Sequence, residues 1–222
     1  MKTSVPTFVP SLITGTTSTV TTFQEPPPNK DAMFDFSAAG PLVGLLASVS
    51  AVYFGTQLTL VSDPATLPGL PLEILRQSTL GGGIINGILG NGALSVPDGA
   101  LGTSAVAGMI IPLHPIAIAG YVSLFVNALS LLPIGTTDGG RMAQALFGRG
   151  AKLVIGNAFM AALLIAGILG SDLFLFYFAF VSAFQTGNEI PSRNEVDNLD
   201  FSRGLASVIA YALAFLVLVP FQ

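Results

Sequence analysis

The chain has 222 residues, of which 51% are hydrophobic and only 9% are charged, and its formal net charge is −4. Soluble domains carry about 25% charged residues, so the composition excludes an ordinary soluble globule and indicates a polytopic membrane protein. The negative net charge argues against nucleic acid as a partner, since binding to it depends on neutralising phosphates. The lack of cysteine excludes disulfides and thiolate metal sites, and a single histidine limits any histidine-based site.

Residues 1–34 do not form a membrane span, and two interpretations of this segment compete. Abundant hydroxyl side chains and scarce acids are typical of an organellar transit peptide, but such peptides are usually rich in arginine, and this segment contains none. Alternatively, apolar and β-branched residues punctuated by Pro6, Pro10 and Gly15 indicate short strands. We favour the strands, followed by a stiff polar turn at residues 26–31.

Residues 36–62 form the first stretch without Asp, Glu, Lys or Arg. The stretch exceeds the roughly 20 residues that a membrane-spanning helix needs. Gly40, Gly44 and Ser48 recur every four residues and therefore share one face of that helix. Such a stripe lets another backbone approach closely, so we expect ordinary helix packing there.

Residues 63–98 are predicted to form a loop region, because Pro64, Pro68 and Pro71 forbid a long helix. Within it, Glu73 and Arg76 are spaced for a short interfacial helix over residues 72–80. The three consecutive glycines at positions 81–83 indicate a turn or a flexible backbone.

Residues 99–137 again contain no Asp, Glu, Lys or Arg, and they predict a span over residues 116–132 that ends at Pro133. His114 lies between two prolines just before this span. A single histidine at a helix break more often hydrogen-bonds a freed carbonyl or lies near an interface than binds a metal, because metal sites need several ligands.

Arg141, Arg149 and Lys152 are predicted to lie in a short connection after this span. Excess Lys and Arg in a short loop marks the side that is not translocated, so we expect this connection in the cytosol or the stroma. A polar loop at residues 189–203 is expected on the same face as Arg149 and Lys152.

Further charge-free stretches at residues 153–171, 173–188 and 204–222 complete the pattern. The chain as a whole predicts four spans and one or two partial ones. The expected fold class is all-α, a polytopic membrane helix bundle with a short N-terminal β-rich segment. Its expected domains are a β-rich or loop segment at residues 1–34 and a membrane-embedded domain at residues 35–222.

Asp138 is the first charge after the long apolar stretch, and Pro133 and Gly135 break a helix just before it. An ionisable side chain is costly to place at a broken helix in a membrane, which marks a functional site. Asp138 can ligate a metal, carry a proton in a transporter, or pair with Arg141 three residues later. The residues alone leave these three alternatives open.

The stretch around Asp138 resembles the second signature of the site-2 protease family of intramembrane zinc metalloproteases. That signature reads Asn-x-x-Pro, four residues and Asp-Gly, and here Pro133 is followed by four residues and Asp138-Gly139-Gly140-Arg141. Nearly the whole chain is similar to the plastid members, the ethylene-dependent gravitropism-deficient and yellow-green group. The supporting stretches, in the order that group shows them, are residues 5–10, 38–44, 114–120 and 147–149.

The resemblance implies a helix bundle with a membrane-buried zinc site that hydrolyses peptide bonds of membrane proteins. In that family two histidines of a His-Glu-x-x-His helix and one aspartate bind zinc, and the glutamate is the general base. Only the aspartate carries over to this chain, as the metal ligand Asp138. The same resemblance implies zinc as the cofactor. It also implies contacts with the lipid bilayer and with a membrane-protein substrate or partner, and a location in a plastid or chloroplast membrane.

The chain also departs from the family pattern. It contains no His-Glu-x-x-His, because its single histidine, His114, is followed by Pro115. Ser130 stands where the family has asparagine, and Thr137 stands where the plastid group commonly has an apolar residue. Two explanations stay open: the chain starts after the first half of the zinc site, or it is a catalytically dead relative. Either way, we expect this chain alone not to hydrolyse peptides.

Two rival functions remain beside the protease. A non-catalytic relative would bind membrane proteins as a scaffold or regulator. A small proton-coupled transporter would use Asp138 as its proton carrier.

Overall fold

A computed structural model describes residues 2–11, 15–90, 92–95, 109–187 and 189–221 of the protein. Within these ranges the chain forms mainly α-helices, with four short strands. The helices are α1 (Lys30–Val61), α2 (Leu72–Leu75), α3 (Thr79–Leu89), α4 (Pro115–Ser130), α5 (Asp138–Ile168), α6 (Asp172–Phe184) and α7 (Phe201–Leu218). The strands are β1 (Thr7–Ser11), β2 (Gly15–Val20), β3 (Gly69–Pro71) and β4 (Ile110–Pro112).

The N-terminal strands β1 and β2 pair antiparallel, with Thr7 opposite Val20. The register shifts between Val9 and Pro10, which is where a proline that cannot donate to the ladder is tolerated. The strand interpretation of the N-terminal segment is therefore confirmed for these residues.

Among the residues that the structure describes, three helices are long and apolar enough to cross a membrane, namely α1, α5 and α7. Each carries large apolar side chains on its outer surface, such as Leu46 on α1, Val154 on α5 and Phe215 on α7, which are 69%, 73% and 66% exposed. Apolar surface on this scale calls for a covering medium, and a lipid bilayer supplies one. The predicted all-α membrane bundle with a short β-rich N-terminus is confirmed.

The described chain divides into two compact units. The first unit holds the chain up to Leu42 together with Leu129–Tyr211, and the second holds Val43–Ala128 and the residues after Tyr211. Asp138, the N-terminal hairpin and the breaks around α5 and α6 all belong to the first unit. The division expected at residues 34 and 35 stays a prediction.

The predicted short connection after Asp138 is wrong. Arg141, Arg149 and Lys152 all lie inside α5, which runs from Asp138 to Ile168 with a kink at Gly148, where φ is +78°. Arg141 and Lys152 are buried, which is possible because each has a buried polar partner within the first unit. Two of the three charges are therefore internal groups, and only Arg149 is exposed.

The predicted loop at residues 63–98 is also partly wrong in its described part, and positions 91 and 96–98 lie outside the described residues. The interfacial helix shrinks to α2, and the three glycines expected to form a turn lie inside α3. A Cβ added at Gly81 would lie 2.7 Å from the Tyr121 ring, and one at Gly82 would lie 2.8 Å from the Leu75 carbonyl oxygen. The glycines thus serve close packing of α3 within the second unit rather than a turn.

Two of the predicted spans correspond to short helices. α4 has 16 residues and α6 has 13, fewer than the roughly 20 needed to cross a bilayer alone. The stretches predicted at residues 36–62, 153–171 and 204–222 lie mostly in the three long apolar helices, which end at Val61, Ile168 and Leu218.

The small-residue face of α1 packs as expected at two of its three positions. A Cβ added at Gly44 would lie 2.0 Å from Asn127 Oδ1, and Ser48 Oγ lies 2.7 Å from Ser123 Oγ. Gly40 differs, because an added Cβ there would meet nothing within 4 Å. The ordinary packing interpretation therefore holds for Gly44 and Ser48 in the second unit.

Candidate metal-ligand site at the start of helix α5

The chain breaks between α4 and α5, and this break is anchored to the end of α6. Gly135 adopts φ +50°, and a Cβ there would lie 2.0 Å from the Gln185 carbonyl oxygen, so a side chain has neither the conformation nor the space. The Thr136 N–H donates to the same carbonyl over 2.9 Å. The Pro133 and Gly135 signals thus predicted the break correctly, and its position is set by Gln185.

Thr137 caps the N-terminus of α5. Its Oγ1 accepts a hydrogen bond from the Gly140 N–H over 3.0 Å and lies 2.7 Å from the Ile134 carbonyl oxygen. Threonine at this position satisfies one of the free N–H groups of the first turn. The plastid group commonly has an apolar residue at this position. The capping role of Thr137 gives a local structural reason for the difference, which the sequence alone does not reveal.

The two glycines after Asp138 are required by close backbone contacts. A Cβ at Gly139 would lie 1.9 Å from the Leu131 carbonyl oxygen, and one at Gly140 would lie 2.5 Å from the Gly135 carbonyl oxygen. The turn before α5 therefore packs directly onto the first turn of the helix. This contact fixes the position of the Asp138 backbone.

Asp138 is the first residue of α5, and its side chain is 28% exposed. A carboxylate at this position is favoured by the partial positive charge of the helix N-terminus. Arg141 Nη1 lies 3.8 Å from Asp138 Oδ1, within ion-pair range but beyond hydrogen-bond distance. The carboxylate is thus partly open, with a cation beside it.

Arg141 is fully buried and joins three segments of the first unit. Its Nε donates to Glu189 Oε2, and its Nη2 donates to the Thr21 carbonyl oxygen at the end of the N-terminal hairpin. Its Cζ lies 4.7 Å from the centre of the Phe23 ring, as in a cation–π contact. The pairing of Arg141 with Asp138 foreseen from their spacing exists, but Glu189 is the stronger partner.

Two tyrosines satisfy carbonyl groups at the helix break. The Tyr177 hydroxyl donates to the Leu129 carbonyl oxygen over 2.7 Å, and the Tyr211 hydroxyl donates to the Gly139 carbonyl oxygen over 2.9 Å. Backbone carbonyl groups freed by a helix break need hydrogen-bond donors of this kind in a membrane, because the hydrocarbon core contains no water to bind them. No local signal in the sequence connects these tyrosines, on α6 and α7, with the break.

A small polar cavity lies beside Asp138. The residues that line it include Asp138, Thr21, Ser130, Thr137, Arg141 and Gln185. The Gln185 side chain is buried, and its Oε1 has no hydrogen-bond partner within the part of the chain described. Sequence reasoning missed Gln185, because it lies far along the chain in the stretch predicted as a plain span.

His114 belongs to the second unit and has a local structural contact. Its ring Nδ1 accepts a hydrogen bond from the Ile116 N–H over 3.3 Å at the start of α4. Its own N–H donates to Thr59 Oγ1 over 2.9 Å. The ring thus makes a local hydrogen bond, but with an N–H group and not with the freed carbonyl that we expected.

The donor set around Asp138 fits one oxygen ligand of a zinc site and not a complete set. Across residues 2–11, 15–90, 92–95, 109–187 and 189–221, no three His, Cys, Asp or Glu side chains gather as a metal-binding group. Zinc sites use at least three protein ligands. Asp138 can therefore contribute one ligand, and the described residues do not supply the others.

Comparisons with known proteins bear on the same region. The family model described as peptidase family M50 matches residues 4–170. The chain is 34% identical over 223 aligned positions to the probable zinc metalloprotease EGY1, chloroplastic, of Oryza sativa subsp. japonica, covering 99% of this chain and 36% of that protein. It is 31% identical to EGY1 of Arabidopsis thaliana, over 99% of this chain and 38% of that protein.

A third relative is the probable zinc metalloprotease EGY3, chloroplastic, of Oryza sativa subsp. indica, which is 32% identical over 97% of this chain and 37% of that protein. The chain thus spans little more than a third of the length of these curated relatives. No solved structure matches the chain significantly. The chloroplastic relatives and the three apolar helices make the chain a plastid membrane protein, as the resemblance implied. The chain belongs to peptidase family M50, the site-2 protease family.

Proposed function

We propose that this chain is the aspartate-bearing part of an intramembrane zinc metalloprotease of plastids, with Asp138 as one zinc ligand. The observation that carries the proposal is the position of Asp138, partly exposed at the first residue of a helix that starts after a tightly packed break. Family membership supplies the second support, because the relatives at 31–34% identity are named zinc metalloproteases. The substrates in this proposal are membrane proteins.

In the proposed site, bound zinc would act as a Lewis acid and lower the pKa of a water molecule. The residues of this chain have a positioning role. Thr137 caps the helix so that Asp138 begins it, while Gly139 and Gly140 let the preceding turn pack onto the first turn. Arg141 binds Glu189 and the hairpin carbonyl, which fixes the helix start against its neighbours.

The proposal is tested by replacing Asp138 with asparagine in the full-length protein, purified in detergent. Asn keeps the shape and removes the charge that a zinc ligand needs, so zinc affinity should fall by more than the about 10–100-fold typical of outer-shell changes. Cleavage of a membrane-embedded peptide should be lost in parallel. The matched control is Asp172→Asn, the first residue of α6, which should change neither property. Unchanged zinc affinity in Asp138→Asn would show that the ligand assignment is wrong.

A second candidate function is a non-catalytic member of the family that binds membrane proteins. It is favoured by one specific observation, since Arg141 lies 3.8 Å from Asp138 and can neutralise the carboxylate without a metal. The zinc content of the full-length wild-type protein separates the two candidates. A zinc-free protein that still captures membrane proteins supports the scaffold, and stoichiometric zinc supports the protease. Zinc likewise argues against a transporter that uses Asp138 as a proton carrier.

A further inference from the structure

Another polar cavity lies in the first unit, where α1 begins and α5 bends at Gly148. Its lining includes the buried residues Gln144 and Ser192, with Lys30 and Glu195 at a more exposed rim. We call it the Gln144 cavity. Its volume is about 60 Å³, several times the minimum that one water molecule requires. The cavity therefore has room for a small polyatomic ion and an open side through which that ion can enter.

The Lys152 ammonium group is buried next to this cavity without a counter-ion. The residue is 8% exposed, and its Nζ donates to Gln144 Oε1 over 2.9 Å. It forms no ion pair with any carboxylate in the part of the chain that the structure describes. The Glu189 carboxylate acts on this charge from farther away but is held by Arg141. A buried cation is costly unless an anion compensates it, so negative charge is missing here.

Gln144 brings an unmatched hydrogen-bond donor to the cavity. It is 5% exposed, and its Nε2 has no partner among the described residues. Its Oε1 is turned to Lys152, which does not line the cavity, so the Nε2 branch of the amide is left to face it. The contact with the ammonium group polarises the amide and strengthens Nε2 as a donor. Buried donors are nearly always paired, so this one calls for an acceptor.

The rim adds a second cation and no free acid. The Lys30 side chain makes no ion pair or hydrogen bond with the described residues. Glu195 also lines the cavity, but its Oε1 already accepts from Arg149 Nε and Nη2 over 3.1 and 3.0 Å. Positive charge is therefore in excess around the cavity. An anion is the ligand that can satisfy Lys30, Gln144 and, through the amide, Lys152.

The cavity lies where a membrane surface is expected. Lys30 is the first residue of α1, and Gly148 is the kink after which α5 continues to Ile168. Both helices are long and apolar enough to cross a membrane, so the points where their crossing parts begin mark its surface. Lipid phosphates lie in this interfacial layer, and basic pockets between membrane helices bind such head groups.

We propose that the Gln144 cavity binds the anionic phosphate group of a membrane lipid. Lys30 Nζ and Gln144 Nε2 donate to the phosphate oxygens, and Lys152 holds the Gln144 amide from behind. The bound phosphate supplies the negative charge that the buried ammonium group lacks. This site involves neither Asp138 nor zinc, so its failure and the failure of the proposed function are separate results.

The test is isothermal titration calorimetry of the full-length protein in a phosphate-free, non-ionic detergent solution. Two probes, dioctanoylphosphatidylglycerol and inorganic phosphate, distinguish the two sources of the same group. We expect saturable binding that is tighter for the lipid, because its acyl chains bury apolar surface beside the anion. Equal affinity for the two probes would overturn the assignment to a lipid and leave free phosphate as the ligand.

Three variants locate the site. Lys30→Met removes a charge that bonds the anion, so lipid binding should weaken about 10–100-fold. Gln144→Glu places a carboxylate beside Lys152, which supplies the missing counter-ion from within the protein, and should abolish binding. Lys2→Met is the matched control, because Lys2 is another cation of the first unit but pairs with Glu25 outside the cavity. It should bind the lipid as the wild type does.

The proposal is overturned if the wild type shows no saturable binding of either probe. Equal weakening in Lys30→Met and Lys2→Met would overturn it as well, because the attraction would then be general and not local. Should Gln144→Glu not fold, Lys30→Met still decides, since Lys30 is only half-buried and its loss leaves no buried charge behind.

Discussion

At the residue scale, Arg141 explains how a membrane helix tolerates a charge beside a candidate metal ligand. Its side chain is 2% exposed and that of Glu189 is 4% exposed, so the two ions neutralise each other away from water. A buried pair of this kind is not itself strongly stabilising, but removal of one partner leaves an uncompensated charge. Arg141 therefore matters mainly because of what its loss would leave behind.

We expect Arg141→Met to destabilise the protein by about 3–5 kcal/mol, because Glu189 would stay buried without a partner. Adding Glu189→Leu should recover much of this loss, since two apolar side chains replace a buried ion pair at little cost. The measurement is the free energy of unfolding in detergent for the single and double variants.

Arg149→Met is the control for this comparison. Arg149 pairs with Glu195 over 3.0 Å, but the two side chains are 54% and 37% exposed. Exposed pairs contribute about 0–1 kcal/mol, so this variant should unfold nearly as the wild type does. Equal losses of unfolding free energy in Arg141→Met and Arg149→Met would contradict the conclusion that loss of Arg141 leaves Glu189 buried without a partner.

The sequence predicted the residues of the site unevenly. Asp138 was recognised because proline, glycine and aspartate stand within a few positions, and such local signals need no knowledge of the fold. The partners of Arg141 and the position of Gln185 could not be predicted, because they lie on segments about 45 to 120 positions away along the chain. Only the packing of the first unit brings them together.

At the element scale, α1 and α4 approach closely in the second unit at glycine positions. A Cβ added at Gly55 would lie 2.2 Å from the backbone nitrogen of Ala117, and one at Gly120 would lie 2.6 Å from the backbone nitrogen of Val52. Backbone atoms cannot rotate away as a side chain can. Small residues at such crossings are typical of helices that pack in membranes.

Gly55→Ala should therefore destabilise the protein by about 1–3 kcal/mol through overpacking, in spite of the better helix propensity of alanine. Gly40→Ala lies on the same helix but meets nothing within 4 Å. We expect the Gly40 variant to be neutral or slightly more stable, because only the propensity effect remains. Denaturation in detergent measures both, and a Gly55 variant as stable as the Gly40 variant would refute the close contact.

Elements were predicted best where the pattern is long and apolar. The three long helices follow from stretches without charge, whereas α3 was missed because its glycines signal a turn locally and yet pack against Tyr121. The start of α5 was missed for a similar reason. Three basic residues suggested a loop, but burial with polar partners lets two of them lie inside a helix.

At the scale of the whole molecule, the polar loop after α6 and the kinked part of α5 share a face of the first unit. Arg149 pairs with Glu195, and the Asn194 backbone bridges to Asn29 just before α1. Residues 149–168 of α5 extend about 30 Å from this face at 1.5 Å per residue, which matches the hydrocarbon core of a bilayer. The shared face was predicted from charge for Arg149 and Lys152. The ion pair of Arg149 supports it, whereas Lys152 is buried and donates to Gln144 within α5.

Single cysteines test this orientation, because the natural chain contains none. Val196→Cys, at a position that is 90% exposed, should react with a membrane-impermeant maleimide applied from the stromal side. Leu169→Cys, at the far end of α5 and 82% exposed, should react only from the opposite side. Labelling of both from one side would contradict a membrane-spanning α5.

The central claim is that Asp138 binds zinc, and locating the metal tests it most directly. An anomalous difference map, collected at the zinc edge from crystals of the full-length protein, would show the metal as a peak. We expect that peak about 2.0–2.2 Å from an Asp138 carboxylate oxygen, the usual zinc–carboxylate distance. A zinc peak bound by other residues, with Asp138 still paired only with Arg141, would contradict the account.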